Sequence, residues 1–108
     1  MNKYKLRITG NLDIFIGQNE DERDCEIIKW RDILIHGDPE GLRSLANILI
    51  NFADTNQNDN ADLPIGTREH VHLQPNRDLS DSSEKVIIGR LDAKGTGEFY
   101  DRYIPAKK

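Results

Sequence analysis

Ile33-Leu34-Ile35-His36-Gly37-Asp38-Pro39-Glu40-Gly41-Leu42-Arg43-Ser44-Leu45-Ala46-Asn47-Ile48-Leu49-Ile50-Asn51-Phe52-Ala53 decides the fold class. It opens on a short β-branched apolar strand, stops at Gly37, and passes into a helix. Asp38 supplies an N-cap oxygen, Pro39 has no N–H to leave unpaired in the first turn, and Glu40 places an acid near the positive end of the helix dipole. Leu42, Leu45, Ala46, Leu49, Phe52 and Ala53 recur at three- and four-residue spacing, so one face is apolar and must be covered. The pattern predicts a helix over about residues 39–54. No other segment is helical in this way, so the remaining strands are expected to form the sheet beneath it. Gly41 inside the first turn costs ~1 kcal/mol relative to alanine and is read as a point of close packing.

Upstream, Tyr4, Leu6 and Ile8 alternate with polar residues, and Leu12, Ile14 and Ile16 do so again after Gly10-Asn11. A three-residue loop, Thr9-Gly10-Asn11 with Asn11 left-handed, pairs Ile8 with Leu12, Leu6 with Ile14 and Tyr4 with Ile16 on one face. One strand bulged at Gly10 is the alternative. Gly17 to Glu26 is polar and acidic, the signature of a solvated loop or strand edge. Cys25 to His36 holds two apolar pulses around Lys29-Trp30-Arg31-Asp32; two strands joined by a tight turn are favoured over one long bulged strand.

Downstream, Thr55 to Thr67 is an Asn- and Asp-rich loop. His70-Val71-His72-Leu73 is a short strand with Val71 and Leu73 facing in. Lys85 to Leu91 is apolar on both faces and is expected in the middle of the sheet. Phe99 to Ile104 is either strand or short helix. The expected architecture is α+β: a mainly antiparallel sheet of five to six strands with one helix on one face, in a single domain spanning residues 1–108.

A chain of 108 residues removes roughly 65% of its unfolded surface from water, enough for one core. With 36% apolar and 31% charged residues it is polar but not of the disordered class. A net charge of −4 argues against binding nucleic acid or an anionic membrane, both of which call for a basic surface. One cysteine allows no intrachain disulfide, and no apolar run resembles a leader or a membrane span. A cytoplasmic location is expected.

Three constellations bear on chemistry. His70 and His72 fall on one side of a strand, where two imidazoles can share a metal with His36 as a third ligand. Plain alternation against Val71 and Leu73 also produces that placement, so the pair is only a weak metal candidate. Asp54 to Ile65 has oxygen side chains spaced like a calcium loop, yet Asp59 stands where glycine is required and Ile65 where a bidentate glutamate is required. Cys25 lies between Asp24 and Glu26, which disfavour a thiolate. No serine elbow or glycine-rich phosphate loop is present. The expectation is therefore a protein without catalysis or cofactor. Trp30 is expected in the core; exposed beside the acidic run, it becomes the natural anchor of an interface.

Ile35-His36-Gly37-Asp38-Pro39-Glu40-Gly41-Leu42-Arg43-Ser44-Leu45-Ala46, followed by His70-Val71-His72-Leu73 and by Leu79-Ser80 through Ser83 to Val86-Ile87-Ile88-Gly89-Arg90-Leu91, resembles immunity protein family thirty-two of bacterial polymorphic-toxin systems. The resemblance runs from about Ile33 to Leu91. It implies a cytoplasmic protein that binds and neutralises a cognate toxin domain. The chain departs from the family in the Asn/Asp-rich loop and beyond Asp92. Charge placement nominates two contact sets for a basic toxin cleft: Asp21, Glu22 and Asp24, with Trp30 beside them, and Asp54, Asp59 and Asp62. The oligomeric state is not legible.

Overall fold

In the computed structural model, which describes residues 7–108, two long strands dominate. Strand β1 (Leu12–Arg23) and strand β2 (Glu26–Gly37) pair antiparallel without a slip, from Leu12 opposite Gly37 to Arg23 opposite Glu26. Helix α1 (Pro39–Asp54) follows at once, then a single 3-10 turn (Gln57–Asp59). Strand β3 (His70–Leu73) pairs antiparallel with β4 (Val86–Gly89).

The chain is α+β with one helix and antiparallel pairing, as expected. Among the described residues, however, four strands form two separate two-stranded sheets rather than one sheet of five or six. The reason lies where the two sheets approach. Ser80 N–H donates to Leu12 O (2.9 Å) and Glu84 N–H to Ile14 O (2.7 Å), but the Ile14 N–H donates to the Ser83 hydroxyl (3.0 Å). A side-chain oxygen stands in for a backbone carbonyl, so no regular ladder joins them. Strand β4 is accordingly not central, and Ile87 on it is exposed.

The first hairpin also differs from expectation. Leu12, Ile14 and Ile16 pair with Gly37, Ile35 and Ile33 of β2, not with the segment before Gly10. Gly10, with φ +71°, takes the left-handed conformation expected of Asn11. Asn11 instead binds the helix cap: its N–H and its side-chain amide donate to the two Asp38 oxygens (3.0 and 2.7 Å), and its carbonyl accepts from Asp38 N–H (3.1 Å). Tyr4 and Leu6, assigned to that hairpin, lie outside the described residues.

Of the two readings of Gly17 to Glu26, solvated loop or strand edge, the structure gives the second. The segment continues β1 to a two-residue turn at Asp24-Cys25, whose φ values of +48° and +65° are both left-handed, as a type I′ hairpin turn requires. Residues 26–37 are one strand, not two, and Lys29 to Asp32 is its middle rather than a turn. Phe99 to Ile104 is neither strand nor helix: a turn closes with Tyr103 N–H on Tyr100 O (2.9 Å).

Leu12, Ile14, Leu73 and Leu79 form the buried core, with Ile8, Leu45, Val86 and Ile88 packed against it. The helix buries Gly41, Ser44, Ile48 and Phe52, while Leu42 and Leu49 stay exposed. The buried stripe is thus turned by about one residue from the one the apolar spacing indicates. Two small residues cause this. A Cβ on Gly41 would stand 2.0 Å from Asn11 O, and the Ser44 hydroxyl accepts from Thr9 N–H at 3.1 Å. The first turn of α1 therefore lies directly on the backbone of residues 9–11, which a bulkier side chain would hold off.

Candidate protein-interaction surface

Beyond Ile16 and Ile33 the β1–β2 hairpin is a two-stranded arm with both faces in water. Alternation along the pleat distributes its side chains. One face carries Leu12, Ile14 and Ile16 opposite Gly37, Ile35 and Ile33, then Gln18 with Arg31, Glu20 with Lys29, and Glu22 with Ile27. The other carries Phe15 with Leu34, Asn19 with Trp30, and Asp21 with Ile28. Here Asn19 donates its side-chain amide to Asp32 (2.6 Å) and Arg23 pairs with Asp21 (3.0 Å).

Trp30 is 43% exposed, which corrects its expected burial in the core and leaves it beside the acidic residues of the arm. Its strand has run past everything that covers β2 at the root. Of the nominated acids, Asp21 shares the tryptophan's face, Glu22 points to the opposite face and Asp24 sits in the tip turn. The pleat thus divides a run that is contiguous in sequence. Asp54 ends the helix, Asp59 lies in the 3-10 turn and Asp62 in the loop beyond, all exposed. Among the described residues no hydrogen bond or ion pair joins this second set to the first.

The loop carrying Asp59 and Asp62 is tied down from within. The Asn56 and Asn60 side chains accept from Asn58 N–H and Asp62 N–H (each 3.1 Å). Lys94 Nζ donates to the carbonyls of Asn60 (2.5 Å) and Leu63 (2.6 Å), so an ammonium group occupies oxygens that a cation loop would turn inward. Arg90 closes the helix end, donating to Phe52 O (2.9 Å) and Thr55 O (2.6 Å) while its other nitrogens bind the Asp92 carboxylate (2.8 and 2.7 Å). The guanidinium holds the Asp92 carboxyl below its ordinary range. Asp13 is lowered by donation from Ser80 and Ser82, and Asp38 by the amides of Asn11 and Gly41.

His70 and His72 do share a face, with ring centroids 5.2 Å apart. His36 does not join them; it lies edge-on to Phe15 at 5.1 Å on the hairpin, opposite Asp13. Among the described residues no group of three or more His, Cys, Asp or Glu is placed to hold a metal. Cys25 is a free, exposed thiol at the hairpin tip.

The surface feature that sequence reasoning missed is apolar. Ile16, Ile33 and Ile35 of the hairpin, Leu45 and Leu49 of α1, and Val86 and Ile88 of β4 line a groove of ≈ 400 Å³. Ile33 is 75% and Ile35 52% exposed. Their β-branched, apolar run carries no local signal of exposure; the helix has large apolar side chains, yet Leu42, Leu49 and Ile50 stay exposed themselves. Contiguous apolar surface of this kind marks an interaction site.

No helix among the described residues is long and apolar enough to cross a membrane. The chain matches no curated protein and no solved structure. Residues 32–91, which hold the end of β2, the whole helix, and strands β3 and β4, match the family model described as Immunity protein 32; with more than half its length matched, the chain belongs to that family.

Proposed function

We propose that this chain is a single-domain cytoplasmic immunity protein that neutralises a cognate bacterial toxin domain by binding it, without catalysis of its own. Membership of the Immunity protein 32 family over residues 32–91 carries this reading. The arm supports a division of labour. The matched residues hold the whole helix and strands β3 and β4, whereas Gly17 to Arg31, with Trp30 and the acids Asp21, Glu22 and Asp24, lies outside the match. An arm outside the residues that define the family suits recognition of one toxin among many.

Between Gly17 and Asp32 the arm has six carboxylates against three cationic side chains, so it carries most of the chain's net charge of −4. Where the toxin is a nuclease its cleft is basic, and the arm docks there with a fast, salt-sensitive association. The test is recovery of a toxin domain by the tagged chain from lysate of its source strain, at low and moderate salt. Rescue of cells expressing that toxin would follow. Lysine reversals at Asp21, Glu22 and Asp24, and separately at Asp54, Asp59 and Asp62, locate the contact. Unchanged affinity in both reversed proteins would remove the acidic surface from the account, and failure to rescue would remove the function.

A further inference from the structure

The outer edge of β1 changes character along its length. At the root it is occupied: Leu12 O accepts from Ser80, and both backbone groups of Ile14 are taken by Ser83 and Glu84. Backbone groups alternate in direction along a strand of an antiparallel pair, so those of Ile16, Gln18, Glu20 and Glu22 point the same way, away from β2. Among the described residues nothing pairs with them. Ile16 also forms a wall of the apolar groove, beside Leu45, Leu49, Val86 and Ile88. Among the described residues, an open strand edge and an apolar groove therefore meet at Ile16.

We propose that this edge takes up an extended segment of the toxin as a third strand of the arm, a mode of binding that rests on the immunity reading above. Residues directly opposite on neighbouring strands share a face, which dictates the segment's chemistry. Opposite Ile16 it places one large apolar side chain, seated in the groove. Four and six residues along, opposite Glu20 and Glu22, it places lysine or arginine. Charge selects this edge over its counterpart: the outward edge of β2 presents Lys29 and Arg31, which repel such a segment. Charge also disfavours a second copy in those antiparallel registers that set Glu20 and Glu22 against each other. Main-chain hydrogen bonds supply affinity in this mode, and the alternate side chains supply specificity.

The experiment uses the full chain and the toxin domain encoded beside it, co-expressed and purified as a complex. Hydrogen exchange is read residue by residue. The amides of Ile16, Gln18, Glu20 and Glu22 are expected to exchange fast in the free chain and to slow by about a hundredfold or more in the complex, while those of Lys29 and Arg31 do not change. Gln18→Pro removes one outward N–H and no hydrogen bond within the hairpin. It is expected to weaken binding about tenfold, whereas Arg31→Pro on the opposite edge leaves binding unaltered. Hairpin cross-strand contacts in the NMR spectrum verify that both variants keep the arm. Binding without protection of the β1 amides, or with protection on β2 instead, overturns the added strand and leaves the immunity reading intact. Protection that appears without toxin and grows with protein concentration assigns the edge to a second copy and overturns the proposal as well. A wild-type chain that binds no toxin ends both.

Discussion

Gly41 and Asp38 show how much of this fold rests on single groups. Gly41 is at a helix position where alanine gains ~1 kcal/mol in propensity, yet a Cβ there meets Asn11 O at 2.0 Å. Steric displacement outweighs propensity, so Gly41→Ala is expected to destabilise by about 2 kcal/mol net, a fall of ~10 °C in Tm, measured by thermal unfolding. At Asp38 the effect is electrostatic. Donors from Asn11 and Gly41 stabilise the ionised carboxylate and lower its pKa from the ordinary 3.8. Its contribution to stability is therefore complete above the unfolded value and is lost as pH falls through the lower folded one. Asp38→Asn keeps an acceptor for Gly41 N–H but no charge. Urea unfolding over a pH series should show wild type ahead of the variant above about pH 4, with the gap closing below it. A gap that is constant with pH would assign the cap's value to neutral hydrogen bonding.

The arm is held together by its own cross-strand hydrogen bonds and little else. An isolated two-stranded hairpin is marginal in water, and this one is closed by Asp24-Cys25, two non-glycine residues in left-handed conformation. Cys25 is the costlier of the two, since aspartate tolerates that region and cysteine does not. Asp24→Asn with Cys25→Gly restores the favoured pair for such a turn and is expected to stabilise the arm by ~1 kcal/mol. The readout is slower exchange of the inward amides of Asp21 and Arg23, with no change in the amides of α1. Equal slowing in both places would show that the arm and the body unfold as one unit. The root of the arm behaves differently, because Leu12 and Ile14 are part of the core. Leu12→Ala should cost 2–5 kcal/mol as a cavity mutation, order of magnitude, and should loosen arm and body together.

Across the whole molecule, acidic charge is concentrated on the projecting arm while apolar surface lies in the groove at its base. The two act at different stages of association. Long-range attraction acts before contact and is screened by salt; groove burial acts after contact and is not. The association rate with the cognate toxin domain should therefore fall about tenfold or more between low and moderate salt, while dissociation changes little. Stopped-flow or surface-binding kinetics check this. A salt effect confined to dissociation would transfer the charges from steering to the bound interface.

What could be read from the sequence alone is local. Asp38-Pro39 starting a helix, residues 39–54 as its span, the loop after it, and Val71 and Leu73 inward on β3 all depend on neighbours within a turn or a pleat, where capping, dipole and alternation act directly. The family was legible for the same reason, since its residues 32–91 surround that helix start. The reading failed wherever a pattern depended on what lay opposite. Gly17 to Glu26 read equally as loop or strand edge because alternation betrays a strand only when one face is buried, and here neither is. Trp30 looked like core because apolar composition does not record whether anything arrives to cover it. The helix turned by about one residue because Gly41 and Ser44 offered a closer approach to the backbone than any leucine could. The placement of Asp21 with Trp30 but not with Glu22, the open edge of β1 and the groove beside it are long-range outcomes. They follow from which strand Leu12 pairs with, and only the tertiary structure decides that, through contacts between residues far apart in the chain.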